Sequence, residues 1–123
     1  MDTISVREKY ELELMPIAIG EKKLKLYGVK INDSFVDNLL EHGEEGTNSF
    51  PFWVKIWEAS IVLADHLIQI NIQKDQKILE IGAGMGIAGL FLSAFGYDVT
   101  ITDYDEDALE LLRINISYPG VLK

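Results

Sequence analysis

The stretch that most constrains this chain is Glu80-Ile81-Gly82-Ala83-Gly84-Met85-Gly86-Ile87-Ala88-Gly89. Gly84, Gly86 and Gly89 keep a G-x-G-x-x-G spacing. The apolar run Lys77-Ile78-Leu79-Glu80-Ile81 before it reads as a short strand. After it, Ile87, Leu90, Phe91 and Ala94 fall on one face of a helix that Gly96 stops. A glycine loop between strand and helix can turn tightly and lets a ligand approach its backbone. By itself the spacing also fits a plain strand-to-helix turn.

The pattern then repeats. Tyr97-Asp98-Val99-Thr100-Ile101-Thr102 reads as a second strand, with Asp103 at its end. Asp105-Glu106-Asp107 place negative charge where a further helix starts, which its dipole favours. Ala108, Leu111, Leu112 and Ile116 give that helix an apolar face, and Tyr118-Pro119-Gly120 breaks it. A β-α-β-α order predicts half of a doubly wound parallel sheet, its two strands adjacent and joined by a right-handed crossover.

Upstream, Tyr10-Glu11-Leu12-Glu13-Leu14 and Lys23-Leu24-Lys25-Leu26 alternate with period two around Ile19-Gly20-Glu21-Lys22, which predicts a β-hairpin. Asn32 to Asn48 is polar and acidic, with a short helical hint at Phe35–Leu40, and reads as a connection. Phe50-Pro51-Phe52-Trp53 opens an amphipathic helix to about Ile70, with Trp57, Ile61, Ala64 and Ile68 on one track and Ile56, Leu63 and Leu67 on another. The fold class is therefore α/β: a partial Rossmann-like doubly wound parallel sheet preceded by an N-terminal β-hairpin and helix. Residues 1–49 form the hairpin and connecting segment, and residues 50–123 the ligand-binding half-domain.

Composition removes several classes of function. Eleven basic against 20 acidic residues give a net charge of −9, with no basic stripe to neutralise phosphates, so nucleic acid is not an expected partner. There is no cysteine, which excludes disulfides and thiolate chemistry. His42 and His66 are isolated, so no metal site is expected. The N-terminus lacks a signal-peptide pattern, no apolar run could span a bilayer, and the expected compartment is the cytoplasm.

Two acids sharpen the glycine motif. Glu80 closes the first strand two residues before Gly82, where an unpaired carboxylate is costly and has little structural excuse. It would repel a pyrophosphate and suits a ligand with a cationic centre, such as S-adenosylmethionine with its sulfonium and ammonium groups. Asp103, nineteen residues after Gly84, can accept hydrogen bonds from ribose hydroxyls or cap the next helix.

With these residues in view, Glu80–Gly89 resembles motif I of the seven-strand S-adenosylmethionine-dependent methyltransferases. Val99-Thr100-Ile101-Thr102-Asp103-Tyr104 resembles their acidic-loop motif. Pro51-Phe52-Trp53-Val54-Lys55-Ile56-Trp57-Glu58-Ala59 is similar to the helix preceding the cofactor site in the protein-lysine methyltransferase branch, methyltransferase family 16. The resemblance implies that Glu80, Gly82, Gly84 and Gly86 line the methionine end of the cofactor. It implies that Asp103 holds the ribose, that Tyr104 packs beside the adenine, and that Trp57 closes the site. Read from its helix alone, Trp57 fits a core position equally well.

Members of that family continue with further strands, the fourth of which supplies the catalytic loop. The sequence reaches Lys123 before them, so the expectation is the N-terminal half only, with no catalytic residue to name. Three readings stand: a methyltransferase acting on a protein side chain such as lysine, a non-catalytic S-adenosylmethionine-binding or assembly module, and a nicotinamide-dependent oxidoreductase, which Glu80 disfavours. A half-sheet also predicts that the helices at Ile87–Ala94 and Ala108–Ile116 lack surface to bury against. The aromatic cluster of Phe50, Phe52, Trp53 and Trp57 would then need cover from a homodimer partner or from the missing C-terminal half.

Overall fold

The computed structural model describes residues 5–41, 51–54 and 58–118. The elements run α1 (Val6–Lys9), β1 (Leu12–Ile19), β2 (Lys22–Val29), α2 (Asp33–Glu41), a 3-10 turn (Phe52–Val54), α3 (Glu58–Gln69), β3 (Lys77–Glu80), α4 (Ile87–Ala94), β4 (Asp98–Ile101) and α5 (Glu106–Ser117).

β1 and β2 pair antiparallel from Leu12↔Val29 to Ile19↔Lys22, with Gly20 at φ +58° in the turn. The hairpin is as expected, although β1 begins at Leu12 rather than Tyr10 and runs on to Ile19, and β2 extends beyond the expected Lys23–Leu26 at both its ends. β3 and β4 pair parallel, from Lys77↔Asp98 to Glu80↔Ile101, with α4 as the crossover. Among the described residues the sheets stay two-stranded and separate, so the β-α-β-α half is present without a complete doubly wound sheet.

α4 packs on β4, and Leu112 of α5 reaches the glycine loop beside it. A β-carbon built on Gly89 would lie 2.6 Å from the Ile101 side chain, and one on Gly86 would lie 2.7 Å from Leu112 Cδ1. Ile87 through Leu92, Ala108, Leu111 and Leu112 are buried. The expectation that these helices lack a surface to bury against is therefore overturned. The hairpin supplies it, since α5 and α4 both pack on β2. What stays open is β3 at Leu79, which is 60% exposed.

Three further readings are corrected. Within the stretch expected to open a helix at Phe50, Phe52–Val54 form instead a 3-10 turn, and the described part of α3 is Glu58–Gln69. Trp53 in that turn is only 7% exposed, because Tyr10 packs edge-on against it at 5.6 Å. In α3, Leu63 faces solvent and Ala64 is the buried position. In α5, Ile116 is exposed and Asn115 is buried in its place, its amide bonded to both backbone groups of Tyr27: the Tyr27 N–H donates to Oδ1 at 2.7 Å and Nδ2 donates to the Tyr27 carbonyl at 3.0 Å. Asn115 thereby satisfies the outer edge of β2 with side-chain groups. α1 lay outside the sequence expectations. Ser5 caps it, accepting from the Glu8 N–H at 3.3 Å. Trp57, Phe50 and His42 lie outside the described residues.

Candidate functional site at the ends of β3 and β4

Parallel strands joined by a helix end side by side, and in such sheets ligands sit at the carboxyl ends. Here β3 and β4 end together. The Thr102 N–H donates to the Glu80 carbonyl at 2.9 Å, and the Ala83 N–H donates to the Thr102 carbonyl at 3.0 Å. The glycine loop and the acidic loop are thus laced to one another directly after the strands.

Within the glycine loop Gly82, Gly84 and Gly86 have φ of +65°, +59° and +73°. These alternate glycines occupy conformations that side-chain-bearing residues rarely adopt. Their surroundings differ. Among the described residues a β-carbon on Gly82 would meet nothing within 4 Å, one on Gly84 would lie 3.7 Å from Trp53 Cα, and one on Gly86 would lie 2.7 Å from Leu112 Cδ1. Of the three, Gly86 is packed tightly against the protein, Gly84 leaves room for a methyl group, and Gly82 has no described neighbour.

The structure gives Glu80 the structural partner that its sequence position did not suggest. Gly86 is the N-cap of α4 and has no side chain to bond the orphan N–H groups of the first turn. The Gly89 N–H donates to Glu80 Oε1 at 3.0 Å, so the neighbouring strand supplies the cap. Burial pushes the Glu80 carboxyl above the usual carboxylate range, and the Gly89 hydrogen bond opposes that with a smaller effect.

Asp103 is not the cap of α5. Asp105 is, accepting from the N–H groups of Asp107 at 2.9 Å and Ala108 at 3.2 Å. Asp103 instead bridges the two loops: Gly84 N–H donates to Oδ2 and Asp105 N–H donates to Oδ1, each at 2.8 Å. Beside it Tyr104 is 96% exposed. The structure thus brings Glu80, Gly82, Gly84, Gly86, Asp103 and Tyr104 together on the two linked loops at the ends of β3 and β4. Trp57 lies outside the described residues.

Two residues behind the loop carried no local signal. Met85, inside the glycine loop, is buried against β2 where Gly28 lacks a side chain. A β-carbon there would run into the Met15 and Met85 methyl groups. Trp53 places its backbone opposite Gly84, 3.7 Å from where a β-carbon would lie, although its sequence context suggested only packing.

A family model described as lysine methyltransferase matches residues 35–122. Aligned relatives include EEF1A lysine methyltransferase 3 of Xenopus tropicalis, 35% identical over 106 residues, or 85% of this chain and 47% of that protein. Protein N-lysine methyltransferase METTL21A of Xenopus tropicalis is 39% identical over 62 residues, or 50% of this chain and 28% of that protein. Histidine protein methyltransferase 1 homolog of Dictyostelium discoideum is 36% identical over 69 residues, or 55% of this chain and 21% of that protein. The chain spans about half the length of the first of these and less of the others. With more than half of its residues matched by the family model, the chain belongs to the lysine methyltransferase family.

Proposed function

We propose that the chain binds S-adenosylmethionine at the ends of β3 and β4 and forms the cofactor-holding part of an enzyme that methylates a protein side chain, lysine in the first instance. The observation that carries this reading is Gly82: a left-handed residue two positions after Glu80, with no described residue within 4 Å of its missing β-carbon. A side chain there would fill the space that a ligand needs to reach the backbone.

The donor set suits this cofactor. Two carboxylates flank the site, which favours a sulfonium and an ammonium group over a pyrophosphate. Each Asp103 oxygen takes one backbone N–H and keeps acceptor capacity for a ribose hydroxyl. The exposed Tyr104 ring offers a flat face to an adenine. Glu80 is anchored through Oε1 and places its negative charge beside the loop without free rotation. Trp57 is assigned its closing role by resemblance alone. When bound, the cofactor supplies an electrophilic methyl group on sulfur, and these residues hold and orient it while the acceptor nitrogen approaches.

Calorimetry with S-adenosylhomocysteine and NAD tests the reading. Binding of the nucleoside thioether in preference to NAD supports it, and tighter binding of NAD overturns it. The exposed Leu79 and Ile81 favour a second reading as an assembly module. Transfer of a labelled methyl group to a lysine-bearing protein separates the two.

A further inference from the structure

The glycine loop is supported from behind by the N-terminal segment, and that support closes a circuit. Lys9 Nζ pairs with Asp107 Oδ2 at 3.0 Å, and the Val6 N–H donates to Glu110 Oε1 at 3.1 Å, so α1 is tied to the first turns of α5. The Tyr10 N–H donates to the Val6 carbonyl at 3.0 Å and closes α1. The Tyr10 ring then meets Trp53 edge-on, centroids 5.6 Å apart and planes at 86°, with Phe35 at 6.1 Å on another side. The Trp53 backbone stands opposite Gly84, its Cα 3.7 Å from where a β-carbon on that glycine would lie. Gly84 donates to Asp103, and Asp103 accepts from Asp105 at the start of α5.

We propose that Tyr10 is a positioning residue for the glycine loop, wedging Trp53 into place opposite Gly84 from an α1 that is itself fastened to α5. Tyr10 reaches the glycine loop through Trp53. It acts by fixing the separation of the glycine and acidic loops before a ligand arrives. A loop held in its bound shape loses less conformational entropy on binding, so the wedge raises affinity without adding a contact. The hydroxyl is dispensable to this role, and the edge of the ring is not. The Asp107 and Asp105 charges add to burial in holding the Tyr10 phenol in its neutral form, so no charge enters the wedge at ordinary pH.

The purpose of the wedge rests on the proposed cofactor site, but its geometry does not, and the experiment separates the two. Amide exchange of the full 123-residue chain is followed for Gly84, Met85 and Gly86 against Leu24 and Leu26 of β2, for the native sequence, Tyr10→Phe, Tyr10→Leu and Tyr10→Ala. The expected result is at least tenfold faster exchange in the glycine loop for Tyr10→Ala, and for Tyr10→Leu if the alanine variant does not fold. Little change is expected in β2, and native rates in Tyr10→Phe. Affinity for S-adenosylhomocysteine should fall about tenfold in the same variants and be restored in Tyr10→Phe. Loop exchange within twofold of native, or acceleration that is equal in β2, overturns the proposal. Faster loop exchange in a chain that binds no S-adenosylhomocysteine upholds the wedge and sinks the cofactor reading instead.

Discussion

Asp103 accepts the Gly84 N–H on one carboxylate oxygen and the Asp105 N–H on the other, each at 2.8 Å, and so joins the two loops that frame the candidate site. Removing it should act twice. Asp103→Ala is expected to weaken S-adenosylhomocysteine binding by about 1–3 kcal/mol through lost charge-assisted hydrogen bonds, and to lower folding stability by about 1–2 kcal/mol by orphaning two N–H groups. Asp103→Asn keeps one good acceptor and should fall between. Calorimetry and denaturant unfolding read the two effects. Native affinity in a folded Asp103→Ala would leave the residue as a loop staple only.

Glu80 sets a pH dependence of known sign. Burial disfavours its charged form, so its folded pKa lies above its unfolded one. Its favourable contribution is therefore complete below the unfolded carboxylate pKa and is lost as pH rises through the raised folded value. Glu80→Gln keeps an acceptor for the Gly89 N–H and removes the charge. It should flatten the melting-temperature profile across and just above the ordinary carboxylate range, and be at least as stable as the native chain at neutral pH. Superimposable profiles would show that Glu80 does not set this dependence.

The strands, α4, α5 and the hairpin were legible because their evidence is local: period-two runs, helical apolar spacing, and glycines between them. Both loops of the candidate site were legible for the same reason. The contacts behind them were not. The bond from Gly89 to Glu80 spans nine residues, and that from Asn115 to Tyr27 spans 88. Spacing rules see neither. A mid-helix asparagine reads as a solvated residue until the edge of β2 is placed against it. Ile116 reads as core for the same reason. Trp53 reads as packing, and it does pack on Tyr10, but only the tertiary structure shows that its backbone stands opposite Gly84 of the glycine loop.

Gly82 and Gly86 should fail differently when given a side chain. Both have left-handed backbones, which cost an alanine roughly 1–2 kcal/mol. At Gly86 the new methyl also meets Leu112 Cδ1 at 2.7 Å, between α5 and the loop, so overpacking adds to that cost. At Gly82 it meets no described residue within 4 Å. Gly86→Ala should therefore destabilise the fold more than Gly82→Ala, by about 1–3 kcal/mol. Gly82→Ala should lose more S-adenosylhomocysteine affinity relative to its stability. Thermal melts with calorimetry on both variants test this, and equal losses of affinity and stability in Gly82→Ala would remove the ligand from the space beside it.

Asn115 is the residue on which the hairpin's attachment to α5 most depends. It is fully buried, and its amide serves the N–H and the carbonyl of Tyr27 together. Asn115→Leu fills much the same volume but leaves both Tyr27 groups without that partner. At about 1–3 kcal/mol for each buried unsatisfied group, a loss of roughly 2–4 kcal/mol is expected. Asn115→Asp should do no better, since it replaces the donor to the Tyr27 carbonyl with a buried charge. Because Met85 of the glycine loop packs against β2 at Gly28, loosening the hairpin should also expose the loop. Denaturant unfolding gives the stability loss. Amide exchange at Tyr27 and Met85 shows whether strand and loop open together. A stability change under 0.5 kcal/mol in Asn115→Leu, within the usual range for surface substitutions, would show that water satisfies the edge of β2 as well as the amide does.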